Sequence, residues 1–162
     1  MCALEYTRQK NAKKAAKAAA DERKATRVKL DAMRSKPKLV KVAERAFNAF
    51  TRLRDFGKPC ISCGKPHNPM PNTWDAGHYR SVGSAVHMRF VEDNVHGQCK
   101  HCNKELSGNA VEYRKGLIER IGLKRVEQIE ADQTLRKYTK EALIEIARHY
   151  NAEVKRLKKE IV

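Results

Sequence analysis

Apolar residues recur with helical spacing in three stretches of this chain and lose that spacing in the middle. Between residues 39 and 56, Val42, Ala46, Phe50 and Leu53 fall at steps of three and four, the stripe of an amphipathic helix. Gly57 supplies its stop. Beyond Gly108 the spacing predicts a helix over about 109–121, ended by Gly122, and a shorter one over about 123–131. The last stretch, about 139–160, carries Leu143, Ala147, Tyr150, Val154, Leu157 and Ile161, whose alternating steps of four and three make a heptad seam. Such a seam suits packing back onto the domain or pairing with a second copy.

Two regions depart from this pattern. Residues 1–36 are rich in alanine and lysine, so helix propensity is high, but they hold few large apolar side chains to bury. A solvated helix, frayed or partly disordered on its own, is expected there, broken at Ser35-Lys36-Pro37 because the residue before a proline is pushed out of the helical region. In residues 58–106 cysteine, histidine, glycine and proline concentrate, with short strand-like pieces around 75–80 and 86–90. No internal repeat is visible.

Charge narrows the choice of partner. The 162 residues include 35 Lys and Arg against 19 Asp and Glu, a formal net charge of +16. Within residues 1–36, eleven basic residues face four acidic ones, leaving +7. Such an excess suits a polyanion, because each Lys or Arg that meets a phosphate releases condensed counterions. No apolar run approaches the ~18 residues of a membrane span, and MCALEYTRQKNAKK lacks the apolar stretch of a signal peptide. The expectation is a cytosolic protein with no membrane partner, where five cysteines signify metal or catalysis rather than disulfides.

Four of those cysteines form two CxxC pairs, Cys60-Ile-Ser-Cys63 and Cys99-Lys-His-Cys102, with 35 residues between them. Two such pairs can close one tetrahedral zinc site. With four protein ligands no position is left for water, so the zinc is expected to be structural and its binding energy to become folding energy. Cys2 is given no role.

Between and beside the cysteines lie Asp75-Ala-Gly-His78-Tyr-Arg80 and Asn94-Val-His-Gly-Gln-Cys99, with Asn103 directly after Cys102. Phosphodiester hydrolysis needs a base to activate water and a cation to stabilise charge on the leaving oxygen. An imidazole on a strand, facing a helix-borne metal ligand, supplies both parts. Asparagine can hold a histidine in one tautomer or ligate Mg²⁺ directly.

The order CxxC, strand histidine, asparagine, CxxC and small polar residue resembles the zinc-containing His-Asn-His nucleases, matching at Asn94, Cys99, Cys102 and Asn103 over about residues 58–110. The fuller string, with its Lys/Ala-rich arm and the phrases DAGHYRS and RFVEDNVHGQCKHCN, is similar to the NinG (Rap) proteins of lambdoid phages over most of the chain. That resemblance implies a structure-specific endonuclease cutting Holliday junctions and D-loops in the cytoplasm of an infected bacterial host. It implies His78 as general base, Asn94 as its orienting partner, and Asn103 as ligand of a catalytic Mg²⁺ or Mn²⁺. Family members often carry a metal ligand just before the base; here that position is Gly77. Asp75 is the nearest carboxylate, on the opposite strand face from His78 unless a bulge at Gly77 brings it round.

Lys13, Lys14 and Lys17 of the arm, with Arg80, Arg89 and Lys104 around the site, are the expected phosphate contacts. His67 is expected at the surface, and His87, His96, His101 and Glu105 are minor candidates for substrate or metal. The fold expected is α+β: a zinc-stapled ββα-metal core with a long basic N-terminal helix and C-terminal helices. Its expected segments are a DNA-binding arm at 1–36, a nuclease core at 37–135 and an amphipathic helix at 136–162. Branched DNA is the expected partner, with a homodimer open. The competing expectation is a zinc-containing module that binds branched DNA without cutting it. A basic RNA- or ribosome-binding protein would explain the charge equally well but not the order of His and Asn.

Overall fold

The computed structural model describes residues 3–68, 70 and 73–160, so Cys2 and Ile161 lie outside the described residues. The chain divides into two compact units, Met1–Leu39 and Val40–Val162. The boundary falls inside a helix, three residues beyond the expected one at 36. No second boundary follows at 135, because the C-terminal helix packs within the second unit.

The first unit is dominated by α1, Ala3–Met33. Every residue from Glu5 to Leu30 is exposed, as a helix with so little apolar surface requires. At 3.6 residues per turn, Lys10, Lys13, Lys14, Lys17 and Lys24 share one side, and Ala12, Ala15, Ala16 and Ala19 the other. Asp31 pairs with Arg34. The next helix, α2 (Lys36–Arg54), begins in this unit and continues into the second. Pro37 lies in its first turn, where a missing N–H breaks no helical hydrogen bond.

In the second unit the buried face of α2 presents Ala43, Ala46, Phe47 and Phe50. Tyr150 of α5 (Lys140–Glu160) packs against this face, its ring 4.8 Å from Phe47 and 4.9 Å from Phe50. Leu143 and Ala147 are buried with it, whereas Val154 and Leu157 remain half-buried. The first half of the heptad seam is thus used inside the fold. Burying side chains of this size stabilises by roughly 1.5–3 kcal/mol each.

Two strands pair antiparallel, β1 (Trp74–His78) and β2 (Val95–Cys99), in unbroken register from Trp74 opposite Cys99 to His78 opposite Val95. The second strand therefore lies at 95–99 rather than 86–90. Residues 86–88 form a 3₁₀ turn instead, because Met88 and Ala85 are drawn into a cluster with Ile129. A π-helical turn, His101–Glu105, follows β2 directly. Then come α3 (Ala110–Ile121) and α4 (Leu123–Ala131), close to the expected spans. Their inner faces enclose Ile61, Tyr113, Leu117 and Val126. Gly116 lets α3 approach the first CxxC turn, since a Cβ there would stand 1.9 Å from the Ile61 carbonyl oxygen.

A buried ionic knot joins α2 to the sheet and to α3. Asp55, 3% exposed, accepts the Gly97 N–H at 2.8 Å and a hydrogen bond from Arg54 at 2.9 Å. Arg54 also donates to the carbonyls of Glu92 and Val95. Arg120 lies 3.6 Å from the same carboxylate. Burial raises the Asp55 pKa, but hydrogen bonds from His96, Arg54 and the Gly97 N–H outweigh it and hold the carboxyl well below its usual range.

Candidate metal centre and hydrolytic site

The two CxxC turns meet at the end of the sheet away from His78. The sulfur atoms of Cys60, Cys63, Cys99 and Cys102 lie within 4.8 Å of one another. Cys63 and Cys99 are 3.8 Å apart, the separation of two thiolates on a tetrahedral zinc with ~2.3 Å bonds. Further donors face the sulfurs: the Cys99 N–H at 3.4 Å from Cys60 Sγ and Asn109 Nδ2 at 3.7 Å from Cys102 Sγ. The donor set and its supporting hydrogen bonds fit zinc, and these cysteines could hold one such ion. Trp74 packs against this cluster.

At the other end of β1, His78 Nε2 lies 3.1 Å from the Arg89 carbonyl oxygen. A carbonyl only accepts, so this contact takes Nε2–H and leaves the lone pair on Nδ1. Burial lowers the His78 pKa below the ordinary imidazole value, against the opposing pull of the Arg89 carbonyl and the Glu44 charge. Glu44, which pairs with the Arg89 side chain, belongs to α2 and is a neighbour that local spacing offers no reason to single out.

Asn94 is fully buried, and its amide does not reach the imidazole directly. Its Oδ1 accepts the Arg80 N–H at 2.8 Å, and its Nδ2 donates to the Arg80 and Met88 carbonyls. The side chain thereby pins both ends of the loop whose Arg89 carbonyl meets His78. Asn94 is linked to the histidine only through this backbone.

Asn103 Nδ2 donates to Asp75 Oδ2 at 2.9 Å, joining the π-helical turn to β1. No bulge brings this about. The strand register is regular, and the turn after β2 carries Asn103 to the face that Asp75 already occupies. Gly77 shares that face, but Gln98 fills the space beside it. A Cβ on Gly77 would stand 2.1 Å from Gln98 Oε1 and 2.9 Å from Gln98 Cβ. Gln98 is fully buried, and its Nε2 donates to Ser62 Oγ and to the Gly108 carbonyl, each at 2.7 Å. It ties the sheet to both cysteine turns. Asp75 and His78 remain on opposite faces, ~10 Å apart along a strand rising ~3.3 Å per residue.

Most other polar side chains around the site belong to the scaffold. Arg80 directs its guanidinium to the Ile129 and Asp132 carbonyls at the end of α4, which makes it a structural cap rather than a free phosphate contact. Arg89 is engaged with Glu44. Lys104 is exposed, as are Lys13, Lys14 and Lys17. His87 Nε2 meets the Asp132 carbonyl at 2.9 Å, and His96 is buried beside Arg54, Arg120 and Asp55. His101 faces solvent and pairs with Glu105 at 2.7 Å. His67 is no isolated surface residue: it lies between Phe56 and Trp74.

Fold and site together define a strongly basic α+β protein organised around a four-cysteine cluster. A family model described as Bacteriophage Lambda NinG protein matches residues 1–160, and the chain belongs to that family. Protein ninG of Salmonella phage P22 is 45% identical over 119 residues, covering 74% of this chain and 57% of that protein. Protein ninG of Escherichia phage lambda is 44% identical over 119 residues, with 74% and 57% covered. The counterpart from Escherichia phage 933W is also 44% identical, with 74% and 58% covered. The match thus spans a little over half the length of these curated relatives. No solved structure matches the chain. Among the described residues no helix is long and apolar enough to cross a membrane.

Proposed function

We propose that this protein is a metal-dependent DNA endonuclease of the ββα-metal type that cuts branched DNA such as Holliday junctions and D-loops. The observation that carries this reading is the content of one five-residue strand. At its end stands His78, with its Nδ1 lone pair fixed by a carbonyl contact at Nε2. Near its start stands Asp75, in contact with Asn103 of the turn after β2. Strand, strand and helical turn follow in the order of the His-Asn-His pattern.

His78 acts as the general base, taking a proton from water at Nδ1 while the Arg89 carbonyl holds Nε2–H. Its lowered pKa keeps the imidazole neutral near neutral pH, the state in which it can accept a proton. Asp75 and Asn103 would hold Mg²⁺ or Mn²⁺ through a carboxylate and an amide oxygen, a donor set that suits a hard cation. A bound cation would stabilise charge on the leaving oxygen. Because Asp75 and His78 stand on opposite faces of a regular strand, cation and base act on one phosphodiester only if β1 rearranges when DNA binds. Asn94 keeps the loop, and through it the base, in place. Lys13, Lys14 and Lys17, on one side of α1, bind phosphates without reading bases. Preference for a branch point then comes from shape and deformability.

One observation favours a second reading, a zinc-containing module that binds branched DNA without cutting it. Gln98 occupies the space beside Gly77, so no metal ligand can stand directly before His78. The test is incubation of end-labelled four-way junctions, D-loops and linear duplexes with Mg²⁺, Mn²⁺ or EDTA, using wild type, Asp75→Ala and Asn103→Ala. Cleavage of branched substrates that needs the cation and is abolished in both variants supports the nuclease. Tight branched-DNA binding without cleavage in either metal supports the binding module.

A further inference from the structure

The aromatic rings of Phe56, His67 and Trp74 form a continuous stack that neither the cysteine cluster nor the hydrolytic site requires. His67 stacks on Trp74 with centroids 5.1 Å apart and planes 24° from parallel. Phe56 also meets His67, with centroids 4.9 Å apart and the rings closer to edge-on. The hydroxyl of Thr73, next to Trp74, bonds to the Asn68 and Met70 carbonyls. At the inner end, Trp74 rests on the cysteine cluster. At the outer end Phe56 is 48% exposed, the one exposed Phe, Tyr or Trp ring of the second unit among the described residues.

Lysines lie close to these rings in sequence. Lys58 follows Phe56 by two residues and is half exposed, while bonded to Asp55. Lys65 precedes His67 by two and is exposed. The Lys100 N–H donates to the carbonyl of Thr73, the neighbour of Trp74. An exposed ring in a strongly basic chain, with the exposed Lys65 and the half-exposed Lys58 a few residues away, matches a nucleotide with an unpaired base, whose flat face stacks while its phosphates meet cations. A paired base inside a duplex shows no free face to such a stack.

We infer that the Phe56–His67–Trp74 stack is a binding site for an unpaired nucleobase, the kind of base exposed where DNA strands branch. This inference rests on the reading of DNA as the partner and adds what distinguishes a branch point from plain duplex. Phosphate contacts on α1 give affinity for any DNA; the stack adds affinity only where a base is free.

The zinc-loaded full chain is titrated with a fully paired duplex and with the same duplex carrying three unpaired thymines, following anisotropy of a label on the DNA. The unpaired thymines are expected to tighten binding. Phe56→Leu, which keeps an apolar side chain but removes the ring, should weaken binding to the thymine-bearing DNA by about ten-fold, the effect expected of one stacked base. Its affinity for the paired duplex should stay the same. Equal affinities of wild type and Phe56→Leu on the thymine-bearing DNA would overturn the stacking site while leaving the DNA-binding reading intact. Failure of wild type to bind either DNA would overturn both.

Discussion

Gly77 and His78 are neighbours on β1 that answer different demands. Gly77 is bare because Gln98 stands where its side chain would go, so even a methyl group must displace a fully buried residue. Gly77→Ala should therefore destabilise the protein by about 1–3 kcal/mol, the usual cost of overpacking, seen as a lower denaturation midpoint. A variant as stable as wild type would mean that Gln98 moves aside freely. His78 carries the pH dependence. Its pKa is lowered chiefly by burial, so the base stays unprotonated as pH falls through 6.5, the ordinary imidazole value. Cleavage should hold its rate to below pH 6.5 and then decline. The sign for stability is the same: the unfolded chain takes up the proton first, so stability is complete above 6.5 and declines as pH falls toward the folded value. An acid limb centred at or above 6.5 would contradict this placement of the base.

At the scale of elements, the helices were more legible than the sheet. Apolar stripes marked α2, α3, α4 and α5 closely, because each buries one face against the rest of the second unit. Spacing located β1 but put its partner at 86–90. Val86, His87 and Met88 alternate as a strand might, yet Met88 is held by Ile129 of α4, a residue far away in sequence. The two CxxC pairs disclosed the four-cysteine cluster, since local spacing builds each turn. The knot around Asp55 was not legible, for beside its neighbours Arg54 and Lys58 it draws on Gly97 and Arg120, far away in sequence. Asp55→Ala leaves Arg54 and the Gly97 N–H without their buried acceptor. It should destabilise by about 3–5 kcal/mol, as when a buried ion pair is stripped of one partner. Urea denaturation measures this, and a change under about 1 kcal/mol, the range of a surface pair, would show the knot to be incidental.

For the whole molecule, charge and chemistry are divided between the two units. The lysine side of α1 offers phosphates a row of cations, so binding should weaken steeply with salt. The combined change Lys13→Ala, Lys14→Ala and Lys17→Ala should reduce affinity evenly for all DNA. It should also flatten the log–log salt slope by about 0.9 for each phosphate no longer engaged. Equal slopes for wild type and variant, measured by anisotropy, would remove α1 from the interface. On the proposed reading the two units have separable tasks: one would hold DNA, and the other, with its four-cysteine cluster, carries the strand with His78 and Asp75.

The most direct test of hydrolysis by this strand is cleavage of a labelled four-way junction by wild type and His78→Ala, each with its zinc content and junction affinity determined. The expected result is Mg²⁺- or Mn²⁺-dependent cutting by wild type, stopped by EDTA, and none by a His78→Ala protein that still holds zinc and binds the junction. Undiminished cutting by that variant, or a wild type that binds junctions and cuts none in either metal, would contradict it.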